Sequence, residues 1–232
     1  MKNGLRFCPQ KSSYPRWYGY VNTFYSRKAP VKYALVKRLE IALGLTDGYL
    51  ERSDAILDVG AGPGFYFPAL ADRSAAQVID LDLELPHLKA VKQMCLSEAI
   101  DHRFQLLQGD VGYLPLRDET FDLIYCFSVF EHIPFLSASL AELDRVLKGS
   151  GVLLVGIPIE TLMSKMGRKF LGVGGHRKGE VVTSHKDMEQ ALREHFTIEK
   201  FRKVPANIIS WIIHHSNCPS PDKAVNNKNI FR

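Results

Sequence analysis

Between residues 54 and 158 the chain alternates two kinds of pattern. Short apolar runs, Ala55–Val59, Ala76–Leu83, Phe104–Leu107, Phe121–Phe127 and Gly151–Ile157, read as buried strands. Between them lie stretches with apolar residues at helical spacing. Phe67–Arg73 is one. Pro86–Ile100 is another, carrying Leu88, Val91, Cys95 and Ala99, and Leu136–Leu147 carries Leu136, Leu140, Leu143 and Leu147. Strands alternating with helices of this length imply parallel crossovers. The expected fold is therefore α/β, a doubly wound, mostly parallel sheet of about seven strands in a three-layer α/β/α sandwich.

The flanks are less regular. Residues 1–28 mix aromatic and basic side chains without a period. Pro30 then opens a stretch in which Val31, Leu35, Leu39 and Leu43 form one helical face, with Lys32, Lys37 and Arg38 off it. After Pro158, residues 159–171 read as helical and 172–176 as a glycine-rich break ending in His176. Ser184–Asp187 resembles a capping box opening a helix to about His195. Phe196–Val204 reads as a strand, and Asn207–His214 fits either a strand or a short helix. The segment from Ser216 is polar and proline-bearing and is expected to be disordered. The expected organisation is a basic, aromatic helical cap over 1–50, a main domain over 51–215 with an insertion at about 158–182, and a tail over 216–232.

Charge sharpens this division. The 232 residues sum to +5, but residues 1–50 carry +7, 51–159 carry −8 and 160–232 carry +6. No apolar run reaches the roughly 20 residues of a spanning helix, and Met1–Arg6 has no apolar signal core. The four cysteines, Cys8, Cys95, Cys126 and Cys218, show no metal-ligand spacing. These features suit a reduced, cytoplasmic protein.

The candidate chemistry centres on Ile56-Leu57-Asp58-Val59-Gly60-Ala61-Gly62-Pro63-Gly64. Glycines between a buried strand and a helix let a ligand approach the backbone. Phe65 stands where a dinucleotide fingerprint has its third glycine. Asp58, inside the strand end, suits a ligand ammonium better than a pyrophosphate. Val78-Ile79-Asp80-Leu81-Asp82 brings a second acid, and Asp82, closer to the strand end than Asp80, can receive adjacent ribose hydroxyls through both oxygens.

Five segments in order carry a resemblance. They are Ile56–Gly64, Val78–Asp82, Gln108–Val111 with Leu114–Leu116, Phe121–Ile124 leading to Glu131-His132-Ile133, and Glu142–Lys148 with Gly151. Over about residues 54–158 the chain resembles a class I S-adenosylmethionine-dependent methyltransferase of the type 11 group. The resemblance implies that Asp58, Gly60, Ala61, Gly62 and Gly64 hold the methionine part of S-adenosylmethionine. It implies Asp82 at the ribose, Leu83 against the adenine, Asp110 near the adenine amino group with Val111 beside it, and Cys126 and Phe127 passing the sulfonium. The chain departs from the pattern in Asp80, where a small residue is common, and in Gly149-Ser150-Gly151, which lacks a proline.

His132 is the candidate general base, while Glu131-His132 also suits a purely structural turn. His176 is a second candidate. Cys126, between Tyr125 and Phe127, reads as a buried structural thiol and not as a nucleophile. The expected acceptor is a small or lipid-linked molecule, anionic in keeping with the basic flanks, with Trp17, Tyr18, Tyr20 and Phe24 shielding the sulfonium. An RNA acceptor and a non-catalytic partner subunit are the alternatives. Contact of the 30–44 helix with an anionic membrane surface competes with simple packing of its stripe on the sheet.

Overall fold

In this computed structural model, the structure describes residues 9–26, 29–134, 136–158, 185–204 and 208–215. The strands are β1 (Ala55–Val59), β2 (Gln77–Asp82), β3 (Phe104–Gln108), β4 (Phe121–Phe127), β5 (Leu147–Pro158), β6 (Phe196–Val204) and β7 (Ile208–His215). They form one sheet in the order β3-β2-β1-β4-β5-β7-β6. β1 to β5 run parallel, and β7 joins antiparallel to both β5 and β6. The helices are α1 (Gly19–Ser26), α2 (Ala29–Leu45), α3 (Asp47–Leu50), α4 (Phe67–Arg73), α5 (Leu85–Ser97), α6 (Leu136–Val146) and α7 (His185–His195).

Alternation along the strands divides the core in two. Ile56, Val78, Leu123, Tyr125 and Leu154 face a cluster with Phe67, Leu70, Val91 and Met94, joined by Tyr14, Phe24, Leu39 and Leu43 of the N-terminal elements. Leu57, Val59, Leu81, Ile124, Cys126 and Val155 face the other cluster, with Leu136, Leu140, Leu143, Met188 and Leu192. Helices thus cover both faces, as the alternating pattern requires. Leu39 and Leu43 of the α2 stripe are spent on this core.

Several boundaries differ from the sequence reading for local reasons. α5 stops at Ser97 because Ala99 takes a left-handed φ of 55° and the Ile100 N–H closes back on the Cys95 carbonyl, at 2.9 Å. β5 begins at Leu147, four residues before the expected start, because Leu147 pairs with Phe121 across a register shift. Lys148 fixes that start through Asp122 at 2.6 Å. Residues 208–215 are a strand, since their backbone completes the edges of β5 and β6. The expected helix over 159–171, the break over 172–176 with His176, the Ser184 cap and the tail from Ser216 lie outside the described residues.

Arg145 pins the segment between β3 and β4. Its guanidinium donates to the carbonyls of Leu114 and Leu116 and to Asp118 and Glu142, at 2.6–3.0 Å. The chain therefore leaves β3 along a fixed course at residues 109–116. β1 and β4 lie side by side while β2 and β3 continue to the other side of β1. This puts the switch point, and the crevice that such sheets reserve for ligands, at the carboxyl ends of β1 and β4.

Candidate functional site

A cavity of about 840 Å³ opens at that crevice. Its walls are the turns that follow the first four strands: Gly60–Pro63 after β1, Leu83 and Glu84 after β2, Gly109–Tyr113 after β3 and Ser128–Val129 after β4. Phe24, Val36, Leu39 and Phe65 close it from the N-terminal side. The N-terminal segment is tied to the glycine turn directly. Tyr14 Oη donates to the Pro63 carbonyl at 2.7 Å, and the Phe24 and Phe65 rings lie 4.2 Å apart.

Of the expected site residues, Gly60, Ala61, Gly62, Asp82, Leu83, Asp110, Val111, Phe127 and His132 line this one cavity. Three others, Gly64, Cys126 and Asp58, lie behind its walls. Gly64 packs against the core, where an added Cβ would come 2.9 Å from the Phe67 ring. Cys126 points into the second core cluster, one strand position before the wall, and burial pushes its thiol well above the ordinary range. Asp58 is 1% exposed and reaches the cavity through Tyr66, whose hydroxyl donates to its Oδ2.

The acids divide by environment. Asp82 keeps its side chain 8% exposed, accepts the Glu84 N–H at Oδ1 (2.8 Å) and holds His87 Nδ1 at Oδ2 (3.0 Å). The bond to Asp82 raises the His87 pKa against the opposing effect of burial. Asp110 accepts the Gly112 N–H at 2.8 Å, which turns the chain back along the wall. Asp58 is pushed up to about 7 by burial, although the Tyr66 hydroxyl pulls the other way. His132 is lowered from its ordinary value by burial, and its Nε2 lies 3.9 Å from Glu131 Oε1. It is therefore neutral at pH 7, with a lone pair to offer.

Sequence reasoning missed Tyr66 and His87. Each is an ionisable residue shortly after a motif acid, Tyr66 eight residues beyond Asp58 and His87 five beyond Asp82. The expected aromatic shield is present only in part. Phe24 lines the cavity, Tyr18 is buried with its ring edge on His87, and Trp17 lies outside, 58% exposed. Among the described lining residues there is no Lys or Arg, so the basic flanks do not reach this cavity through them.

These residues fit S-adenosylmethionine. Gly60, Gly62 and Gly64 all hold a positive φ, and an added Cβ at Gly62 would meet nothing within 4 Å, so bare backbone faces a ligand there. Asp58 Oδ1 is buried without a partner, a charge site awaiting a cation. Asp82 retains lone pairs for hydroxyls. Gly60 tests the cradle itself. At φ 68° an added Cβ would fall 2.6 Å from Val129 Cγ2. Gly60→Ala is expected to cost about 1–3 kcal/mol of stability through strain and overpacking. A denaturation midpoint equal to wild type would contradict this.

A family model described as a methyltransferase domain matches residues 57–155. A demethylmenaquinone methyltransferase of Lactiplantibacillus plantarum is 33% identical over 102 residues, 43% of this chain and 43% of the relative. A ubiquinone/menaquinone biosynthesis C-methyltransferase of Dinoroseobacter shibae is 30% identical over 155 residues, 65% of this chain and 60% of the relative. The chain thus spans less than two thirds of these relatives' own lengths. Among solved structures, a protein of Pyrococcus horikoshii superposes with a TM-score of 0.69 at 19% identity, covering 86% of this chain and 99% of that one. A SAM dependent methyltransferase from Aquifex aeolicus superposes at 0.61 with 19% identity, covering 74% and 88%. At that identity the superpositions speak for the fold alone, while the family match falls on the segment that builds the cavity. The matched segment, residues 57–155, thus carries the methyltransferase domain of the class I S-adenosylmethionine-dependent kind, and S-adenosylmethionine is the cofactor of that domain.

Proposed function

We propose that this chain transfers a methyl group from S-adenosylmethionine to a small or lipid-linked acceptor with a largely apolar body. The observation that carries the reading is the apolar wall beside the glycine turn. Phe24, Val36, Leu39 and Phe65 present hydrocarbon and aromatic surface on one side, with Ile133 and Pro134 beyond His132. An apolar acceptor gains by leaving water there, and water is excluded from the reacting groups. The absence of Lys and Arg from the described lining weighs against a highly anionic acceptor. The quinone-pathway relatives, and a sterol 24-C-methyltransferase of Schizosaccharomyces pombe that is 27% identical over 97 residues, carry names of the same chemical class.

When bound, S-adenosylmethionine supplies an electrophilic methyl on a positively charged sulfur. The chain's own residues then position and desolvate. Asp82 receives hydroxyl donors, with Glu84 N–H and His87 holding its carboxylate in one orientation. Asp58 places negative charge behind Tyr66. Leu83, Asp110 and Val111 form the wall for the base, and Phe127 with Val129 the wall beside the β4 turn. His132, neutral and at the acceptor side, takes a proton from an acceptor that must lose one.

Incubation with methyl-labelled cofactor and fractionated cell extract tests the reading. Label is expected in the lipid or small-molecule fraction, and label confined to RNA or protein would overturn it. His132→Ala is expected to lower turnover about 10²- to 10⁴-fold. The wild-type rate should rise with pH through a value below 6.5, since burial depresses this imidazole, and level off near neutrality. Unchanged turnover in the variant would remove His132 from the chemistry.

A further inference from the structure

Outside the cavity, one face of the molecule exposes apolar side chains that the core does not use. Trp17 is 58% exposed, Leu96 57% and Leu85 42%. Trp17, Leu85, Pro86 and Lys89 together wall a shallow groove. On α5, Leu85, Lys89, Lys92 and Leu96 recur at intervals of four, three and four residues, which sets them in one stripe along the helix. The opposite face of the same helix is spent on the core through Leu88, Val91, Met94 and Cys95. Lys89 and Lys92 are exposed, as is Arg16 beside Trp17. The stripe starts at the cavity mouth, because Leu83, Glu84 and His87 line the cavity on either side of Leu85 in sequence.

We propose that the face formed by Trp17 and the outer stripe of α5 docks the protein on an anionic lipid surface, with the cavity mouth beside the bilayer. The chemistry is that of an interfacial surface, an indole and leucines among cations and no need for a shaped partner. Charge complementarity selects the occupant. A second copy related by two-fold symmetry would set Lys89 and Lys92 against their own kind. A stable protein interface needs roughly 800 Å² from each side, more than a shallow groove with four lining residues offers. A bilayer needs only shallow insertion of a few apolar side chains and cations near its headgroups. The surface is distinct from the α2 stripe, whose Leu39 and Leu43 lie in the core. Its use, delivering a membrane-dissolved acceptor to the cavity, rests on the acceptor reading above; the docking itself does not.

The test is sedimentation of the full chain with vesicles of mixed phosphatidylglycerol and phosphatidylcholine, and with phosphatidylcholine alone. Binding is expected only to the anionic vesicles, weakening as salt is added. It should bring a blue shift of tryptophan emission that Trp17→Phe removes. Lys89→Glu with Lys92→Glu, and separately Leu85→Ser, should lower the partition constant about tenfold or more while melting temperature and cofactor affinity stay at wild-type values. Absence of sedimentation, equal binding to neutral vesicles, or binding indifferent to these variants would overturn the proposal. So would a concentration-dependent dimer that the same variants dissolve. Vesicle binding with label confined to RNA or protein would leave the docking face standing and sink the acceptor reading. Label in lipid without vesicle binding would do the reverse.

Discussion

Asp82→Ala is expected to weaken S-adenosylmethionine binding by at least about a hundredfold in calorimetry. Hydrogen bonds to a charged acceptor contribute roughly 1.5–3 kcal/mol each, and two of them to a pair of hydroxyls reach that loss. The carboxylate is well prepared for the task. It is nearly buried, and its two oxygens are already oriented by the Glu84 N–H and by His87. Those bonds use two of its roughly four acceptor positions, so the remainder face the cavity with no freedom to be lost on binding. Asp82→Asn should lose less, because one oxygen still accepts. The variant also has a signature that does not depend on ligand. His87 owes its raised pKa first to Asp82, so in Asp82→Ala its titration, followed by NMR, should fall back toward 6.5 or below. The sign for stability follows. The raised His87 pKa makes the pair stabilising below about 6.5, and that contribution is lost as pH rises through the folded value. Wild-type cofactor affinity in Asp82→Ala would refute the ribose assignment. An unmoved His87 titration would refute the pairing.

Much of this was legible in the sequence because it depends on local pattern. The bounds of β1, β4 and α4 coincide with those read from the sequence, since buried parallel strands leave a mainly apolar signature and the glycine turn separates β1 sharply from α4. The nine expected residues that line the cavity all lie at the carboxyl ends of strands or in the segments that follow them, where topology sets them side by side. What escaped depended on pairing across the chain. β5 starts early because Leu147 finds Phe121, 26 residues away, and an Asn207–His214 run that periodicity leaves open becomes a strand because β5 and β6 offer it edges. Cys126 follows the same rule from the other side. The strand's alternation turns it to the α6 core, while its neighbour Phe127 reaches the cavity. Tyr66 and His87 meet their acids through the turn that follows each strand, the glycine turn folding Tyr66 back onto Asp58 and the first turn of α5 folding His87 back onto Asp82.

The departure at Asp80 has the largest consequence for stability. β1 and β2 pair Asp58 with Asp80, so the two carboxyls share one face of the sheet on adjacent strands, each 1% exposed. Asp58 Oδ1 has no hydrogen-bond partner, Asp80 has only the Ala61 backbone N–H to offset its burial, and among the described residues neither acid forms an ion pair. Burial accordingly pushes Asp58 to about 7 and Asp80 well above its ordinary value, each raised further by the neighbouring acids. An acid with a raised folded pKa keeps its proton in the native state where the unfolded chain has lost it. Stability from Asp58 is therefore full below about 4 and is lost as pH rises to about 7. The shift corresponds to about 4 kcal/mol at most, or about 10 °C in melting temperature for a chain of this size. Ordinary acid unfolding lies elsewhere on the scale. At Asp122, burial pushes the pKa up, but Lys148 and two backbone N–H groups hold it below the usual range, so its contribution is lost only as pH falls below about 4. The ligand-free chain should thus melt highest near pH 4 and lower at pH 7–8, and Asp58→Asn should flatten that fall by raising the melting temperature at pH 8 while leaving it unchanged at pH 4. The same substitution should weaken cofactor binding, because the charge that is costly in the empty fold is the one that favours a cation. A flat melting profile from pH 4 to pH 7 in the wild-type chain would mean that these two carboxyls are partnered after all, and the electrostatic reading of the glycine turn would fall with them.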